Sequence, residues 1–304
     1  MFTRRAVVFV SLFAVLPALV AADPWYVDND ELFKDFTEKS QTLAAGGKCL
    51  GTADLKKKTA ADSTCKVDPA KPTDKRHDPE DVYDAALPGV FLIGSVVKGK
   101  NDKGEDAFLD GRLGTAWVLA ADGVLVTNWH LFDEIEENES FTVMNHKREV
   151  FPVTDVLAVN RAADIAVFRV AAKGLTPLPL AEKQPRVGAW VGVLGHPGDR
   201  YFTFTQGAVS RYTTAKRDDK RERWLSITAD YAYGSSGSPV LDRTGAVVGM
   251  AALTESLDYP EDPPAEAKKD EKPKDDKPAA KGSSLQMVVK LAVPAAEIRT
   301  IIGK

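Results

Sequence analysis

A series of short β-type runs, separated by turn sequences, starts at residue 90 and limits which folds are open to this chain. Stretches such as Ala121-Asp122-Gly123 are typical of the tight turns between antiparallel strands. The predicted strands are 90–97, 115–120, 124–127, 141–143, 165–170, 190–194, 224–228, 240–241 and 247–252. Because no helical pattern separates them, they predict an all-β antiparallel barrel or sandwich and disfavour a doubly wound α/β fold.

A polar N-terminal extension, residues 23–85, precedes the strands. Apolar residues at helical spacing predict one helix over 31–43, and the segment after it, through Pro79, is predicted to be a loop. Its composition does not decide between a small appendage and an arm that binds a partner.

The strands are interrupted near the C-terminus by residues 258–284, which are rich in Pro, Lys, Asp, Glu and Ala. Such a composition cannot bury a core, so it predicts a solvated insertion. Beyond it, residues 285–293 predict a returning strand, and Pro294 predicts the first turn of a helix over 295–302. The insertion therefore lies within one domain, residues 86–304.

The first 22 residues predict an export signal. Met1-Phe-Thr-Arg-Arg is basic, an apolar run follows, and small residues precede Asp23, so cleavage after Ala22 or Ala21 is expected. The alternative is an uncleaved anchor, because residues 6–22 just reach the length of a membrane span. Cleavage predicts a periplasmic or secreted protein without a stable membrane span.

Charge and cysteine content limit which classes of partner and cofactor we expect. With 40 basic and 44 acidic residues the formal net charge is −4, which offers no basic field for nucleic acid. After export, Cys49 and Cys65 could persist as a structural disulfide, with free thiols or an intermolecular bridge as the alternatives. The four histidines and two cysteines show no paired ligand spacing, so we expect no metal.

The strongest local motif is Gly234-Ser235-Ser236-Gly237-Ser238-Pro239. Glycines on either side of a serine allow a tight turn that exposes the Ser236 hydroxyl and aims the backbone N–H groups of Gly234 and Ser236 at one point. This arrangement predicts a nucleophile with an oxyanion hole. A plain Gly/Ser turn is the alternative.

Two further residues have the local setting of a catalytic base and its partner. His130 follows the strand 124–127, which gives a general base a fixed position. Asp164 lies directly before the strand 165–170, where its carboxylate can accept the imidazole N–H and set the tautomer. A surface histidine and a strand-capping aspartate are the alternatives. Together with Ser236, they predict a catalytic triad.

These three segments resemble those of the trypsin-like serine peptidases, in particular the HtrA type and the bacterial glutamyl endopeptidases. The matching stretches are Gly114 to His130, Ala163-Asp164-Ile-Ala-Val-Phe and Gly234 to Pro239, in the order His, Asp, Ser. The resemblance implies a chymotrypsin-like fold of two antiparallel six-stranded β-barrels, followed here by a C-terminal helix. HtrA-type relatives continue into a PDZ domain, which we do not expect in this chain.

The resemblance also implies an endopeptidase that needs no cofactor and acts on proteins or peptides, with an oligomeric state that the sequence does not give. Asp230 lies six residues before Ser236, the offset of the pocket carboxylate in trypsin, and suggests a preference for Lys or Arg. An HtrA-type preference for small aliphatic residues and a glutamyl preference using Thr228 stay open. Met250 and Ala251 are predicted to line a pocket wall.

Functions other than proteolysis are also compatible with the sequence. A catalytically silent protease fold could serve as a binding module, and an envelope protein could use its extension and insertion to bind partners. A triad of this kind can also cleave esters. Reaction of Ser236 with a serine-directed reagent separates the silent fold from an enzyme.

Overall fold

The computed structural model describes residues 26–217, 220–258 and 285–303. The predicted signal peptide and nearly all of the 258–284 insertion lie outside the described residues. The helices are α1 (Asn29–Ala45), α2 (Thr52–Thr59), α3 (Pro79–Ala86) and α4 (Ala295–Ile302). The strands are β1 (Val90–Lys100), β2 (Asp106–Ala120), β3 (Val124–Thr127), β4 (Glu139–Met144), β5 (Val150–Asn160), β6 (Ile165–Val170), β7 (Trp190–Gly195), β8 (Thr203–Arg217), β9 (Lys220–Ile227), β10 (Pro239–Leu241), β11 (Val247–Asp258) and β12 (Leu285–Pro294).

The strands close into two antiparallel barrels of six. The first has the order β1-β2-β3-β6-β5-β4 and the second β10-β11-β12-β9-β8-β7. The predicted chymotrypsin-like pair of barrels is therefore confirmed. Full closure leaves neither sheet with an unpaired edge.

Each barrel encloses its own core, and a third apolar cluster joins them. Phe91, Val118 and Phe168 are fully buried inside the first barrel. Trp117 of the first barrel and Leu194 of the second belong to one shared cluster between them. Burying a side chain of this size contributes about 1.5–3 kcal/mol, so the shared cluster holds the barrels in a fixed relation.

The N-terminal extension is more ordered than its composition predicts. The helix predicted over 31–43 is confirmed as α1, but the loop prediction was wrong for α2, which buries Leu55 against the first barrel. Near the end of the extension, Pro79 starts α3 at a first-turn position. The local sequence of α2 favours a helix only weakly, so this helix depends on the tertiary packing of its buried leucine.

The N-terminal extension pairs with the C-terminal helix. The predicted returning strand and C-terminal helix are confirmed as β12 and α4. The backbone N–H of Cys65 donates to Ile301 O at 2.8 Å, and that of Val67 donates to Ile302 O at 3.0 Å. The extension is therefore held by α4 as well as by the first barrel.

The predicted Cys49–Cys65 disulfide is not present, because both residues are free thiols. Leu50 donates to Val153 O and Ser63 to Val159 O. These acceptors are six residues apart on β5, which separates the two cysteine segments by about 20 Å. A disulfide needs Cα atoms within roughly 7 Å, so the fold keeps the two thiols apart. Burial raises the pKa of Cys49 to about 11.

None of the helices in the described ranges is long and apolar enough to cross a bilayer.

Candidate active site

His130 lies where the first barrel faces the second. It belongs to a 3-10 turn, Trp129–Phe132, that follows β3 after Asn128. The buried Asn128 side chain donates to the backbone carbonyl of Asp164 at 3.0 Å. This bond ties the turn of His130 to the turn before β6. The His130 side chain remains 42% exposed, so its outer ring nitrogen can reach a reacting group.

Asp164 binds His130 through both carboxylate oxygens. Oδ1 accepts from the His130 backbone N–H at 2.8 Å, and Oδ2 lies 2.8 Å from the ring Nδ1. The neutral imidazole therefore carries its proton on Nδ1 and keeps a lone pair on Nε2. Asp164 has φ +55°, a left-handed conformation that Asp and Asn tolerate better than most residues.

Ser236 lies in the serine loop, residues 232–238, immediately before β10. The loop is bonded directly to the first barrel, because Thr115 N–H of β2 donates to Ser236 O at 2.7 Å. Thr115 Oγ1 in turn donates to Gly234 O at 3.2 Å and accepts from Ser238 Oγ at 3.1 Å. One threonine therefore fixes the serine loop against the barrel that carries His130.

Close contacts place the serine and histidine segments side by side. A Cβ added to Gly114 would lie 2.5 Å from Leu131, next to His130, and 3.2 Å from Ser236 O. Over the described residues, no hydrogen bond joins Ser236 Oγ to the His130 ring. Catalytic hydrogen bonds are often loose without substrate and tighten in the Michaelis complex. Ser236 is half-buried at the surface between the barrels.

The geometry of the serine loop suits an oxyanion hole. Gly234 has φ +82°, and Ser235 N–H donates to Ala232 O at 3.0 Å, closing a turn. Tyr233 O accepts from Gly198 N–H at 2.9 Å, which turns the Gly234 N–H to the opposite side of a trans peptide. Within the described chain, the N–H groups of Gly234 and Ser236 donate to no acceptor. Both donors are therefore available to a ligand oxygen.

Asp230 does not form an isolated carboxylate in a pocket. Its side chain is 88% exposed, and Oδ1 lies 3.8 Å from Lys290 Nζ on β12. The Lys290 side chain is only 12% exposed; its ammonium donates to Tyr231 O at 2.7 Å and lies 5.5 Å from the Tyr231 ring centroid. The sequence analysis missed Lys290, because only the pairing of β12 with β9, which sets Lys290 opposite Ile227, shows that it faces this segment.

The other predicted pocket residues have mainly supporting contacts. Met250 and Ala251 are fully buried, and the Ala251 backbone exchanges hydrogen bonds with Gly237 and Ser238. In this structure they hold the serine loop. The Thr228 hydroxyl accepts from Ala208 N–H at 2.8 Å, so it is engaged by β8. The described residues contain no cluster of His, Cys, Asp and Glu suited to a metal ion.

Comparison with known proteins finds similarity to serine proteases. Residues 114–250 match the family model of the trypsin-like peptidase domain. A probable periplasmic serine endoprotease DegP-like from Halomonas elongata is 26% identical over 139 residues, which are 45% of this chain and 28% of the relative. The mitochondrial serine protease HTRA2 of Bos taurus is 30% identical over 146 residues, 46% of this chain and 31% of the relative. The chain thus spans about a third of the length of these relatives.

The fold also occurs in a solved structure. An inactive form of Rv3671c from M. tuberculosis superposes with a TM-score of 0.51 at 21% identity, covering 78% of this chain and 94% of that one. At this identity the likeness concerns the fold alone. It covers a larger share of this chain than the stretch that the family model matches.

Proposed function

Because the chain carries a trypsin-like peptidase domain, we propose that it is a serine endopeptidase with His130, Asp164 and Ser236 as its triad. The observation that carries this proposal is the pair of 2.8 Å contacts between Asp164 and His130. A carboxylate that orients an imidazole in this way, beside a half-buried serine, is the arrangement needed for acyl transfer.

The proposed reaction starts when Ser236 Oγ attacks a peptide carbonyl while His130 Nε2 accepts the hydroxyl proton. Asp164 holds the Nδ1 proton and stabilises the imidazolium that forms. His130 then returns the proton to the leaving amine. Water attacks the acyl enzyme in a second cycle of the same proton transfers, which releases the product and restores the Ser236 hydroxyl.

Charge that develops on the carbonyl oxygen would be stabilised by the N–H groups of Gly234 and Ser236. Their lack of acceptors in the described chain supports this role. Removal of one such donor typically lowers kcat by roughly 10²–10³-fold. The donors belong to the loop that Thr115 fixes, so they need little reorganisation during the reaction.

We propose a preference for small aliphatic residues before the cut bond. Lys290 offsets the charge of Asp230, which weakens the case for a Lys or Arg preference. The bond between Thr228 and Ala208 N–H weakens the case for a glutamyl preference. The Tyr231 ring is buried beside Asp230, and its hydroxyl donates to Leu253 O at 3.1 Å, which fixes a bulky group in this segment.

We further propose that the protein is exported. The basic and apolar residues 1–22 support this, as does the similarity to DegP-like proteins whose names describe them as probably periplasmic. Other relatives are named as mitochondrial, so the signal itself needs testing. N-terminal sequencing of the mature protein from fractionated cells would show cleavage after Ala22 or Ala21.

The central test is labelling of the purified protein with a fluorophosphonate, followed by intact mass spectrometry and a peptide-cleavage assay. We expect one adduct on Ser236 and loss of labelling and cleavage in Ser236→Ala. The exposed Ser210, on β8, provides a matched control, and Ser210→Ala should label like wild type. Absence of an adduct in wild type would contradict the proposal and favour a silent binding module.

A further inference from the structure

Helix α1 bridges the two barrels. Its middle and C-terminal part is anchored to the first barrel, where Ser40 Oγ and Thr142 Oγ1 lie 2.6 Å apart and Lys39 Nζ donates to Arg148 O at 3.0 Å. Its first turn instead reaches the 196–202 loop, which joins β7 to β8 in the second barrel. The helix therefore contacts both halves of the candidate active site.

The contact with the 196–202 loop combines one hydrogen bond with apolar packing. Asn29 Oδ1, in the first turn of α1, accepts from Tyr201 N–H at 3.2 Å. Leu32 and Phe36 of the helix pack in one buried cluster with Tyr201 and Phe202 of the loop. Tyr201 is only 4% exposed, so the loop is held closely against the helix.

His196 transmits this contact inside the loop. Its Nδ1 accepts from Phe202 N–H at 3.3 Å, and its ring meets those of Phe202 and Tyr201 edge to face, at centroid distances of 4.7 and 5.9 Å. The ring is 1% exposed, and burial lowers its pKa to about 3. His196 is therefore a neutral packing group between the ends of the loop.

The loop in turn contacts the candidate oxyanion hole through its backbone. A Cβ added to Gly234 would lie 2.4 Å from His196 O. Gly198 N–H donates to Tyr233 O at 2.9 Å, the bond that sets the direction of the Gly234 N–H. A shift of the 196–202 loop would remove this bond and release the peptide between Tyr233 and Gly234.

We propose that Asn29 and Tyr201 are positioning residues through which α1 holds the Gly234 N–H in its productive orientation. The inference rests on the proposed function, since it assigns α1 a role in the same site. It gives the N-terminal extension a part in turnover: an ordered first turn of α1 keeps the oxyanion hole formed, and its release disorders the hole while both barrels stay folded.

Asn29 allows a test that separates positioning from simple stability. Asn29→Ala removes the acceptor for Tyr201 N–H, whereas Asn29→Asp keeps an oxygen there and suits the first turn of a helix. Ser40→Ala is the matched control, because it weakens the same helix only where it meets the first barrel. The half-buried position of Asn29, the anchor at Lys39 and the buried packing of Leu32 and Phe36 should keep all three variants folded.

The measurements are kcat and KM on a peptide substrate, together with hydrogen exchange of residues 232–238 followed by mass spectrometry. For Asn29→Ala we expect kcat to fall about tenfold with KM changed less than about twofold, because the oxyanion is bound mainly in the transition state. Exchange in 232–238 should become faster. Asn29→Asp should restore both readouts, and Ser40→Ala should leave both near wild type.

Equal kcat and equal exchange in Asn29→Ala and wild type would overturn the inference, as would the same losses in Ser40→Ala. The exchange readout does not depend on turnover, so it separates this inference from the proposed function. If wild type cleaves nothing but Asn29→Ala still speeds exchange in 232–238, the coupling holds and the peptidase proposal fails.

Discussion

Asp164 accepts two hydrogen bonds from a single residue, one from the backbone N–H of His130 and one from its ring, both at 2.8 Å. The aspartate therefore fixes the position of the His130 backbone as well as the tautomer of its side chain. A substitution can remove the charge of Asp164 and keep its backbone conformation, because Asp164 has φ +55° and Asn tolerates that conformation.

We expect Asp164→Asn to lower kcat by roughly 10⁴-fold with little loss of stability, because the amide favours the wrong imidazole tautomer. Asp164→Ala should lose similar activity and also unfold more easily. Alanine is strained in the left-handed conformation, and it leaves the His130 backbone N–H without its acceptor. Steady-state kinetics and urea denaturation of both variants check this. Equal stability of the two variants would contradict the geometric role of Asp164.

Gly237 is predicted to tolerate no side chain. It has φ +90°, and an added Cβ would lie 1.9 Å from the backbone oxygen of Thr115. Gly237→Ala should cost more than about 4 kcal/mol or prevent folding. Gly245, with φ +75° and open space around its Cβ position, is the matched control, and Gly245→Ala should cost about 1–2 kcal/mol. Denaturation midpoints of equal value would disprove the clash.

Lys290 should control how the site responds to charge before the cut bond. In Lys290→Gln, Asp230 loses its counter-charge, so cleavage after Lys relative to cleavage after Ala should rise about tenfold. The double variant Lys290→Gln with Asp230→Asn should return to the wild-type ratio. The measurement is kcat/KM on peptides that differ only in the residue before the cut bond, which is Ala, Lys or Glu. A strong Lys preference in wild type would instead favour the trypsin-like alternative.

His196 should make the fold sensitive to mild acid. Its folded pKa, lowered to about 3 by burial, lies below the unfolded value of 6.5, so between these values the unfolded chain binds more protons. The His196 contribution to stability is full above pH 6.5 and falls by up to about 1.4 kcal/mol per pH unit below it.

We therefore expect the free energy of unfolding to decrease between pH 6.5 and 5, and His196→Asn to flatten that decrease. Burial also lowers the pKa of the half-buried His146, so His146→Asn should remove a smaller share. Urea denaturation at pH 7.5, 6.5, 5.5 and 5.0, conditions chosen around the titration range, measures the slope. A slope unchanged by His196→Asn would show that other groups carry the acid response.

The β-barrel fold was predictable from the short strand runs and their turns. The pairing of Asp164 with His130 was predictable because each residue flanks a strand in a segment that resembles a known family. Two strands were not: β5 contains Pro152 and Asp155 within a bulged stretch, and β8 is largely polar, so neither has a clear alternation. Both become strands by pairing with neighbours that the sequence does not specify. The catalytic roles of Gly234 and Ser236 stay predictions.

Contacts between distant segments account for what was missed. Lys290 reaches Tyr231 because of the register between β12 and β9. Helix α2 forms because Leu55 packs into the core of the first barrel. The Gly195-His196-Pro197-Gly198 stretch forms a turn that holds a buried histidine. Its place between α1 and the serine loop depends on how the two barrels meet, which local patterns do not encode.

The pairing of Cys65 and Val67 with the carbonyls of α4 has a mechanical consequence. A pull on the extension near residue 67 would be resisted by the last helix of the second barrel, while a pull near residue 29 would be resisted by α1 and the 196–202 loop. The segment between residues 29 and 67 is also hydrogen-bonded to the turn before Asp164, since Arg161 N–H donates to Asp62 Oδ1 at 2.8 Å. The extension is thus bonded to the protein at several points. Tension on it would reach Asp164 and the serine loop together.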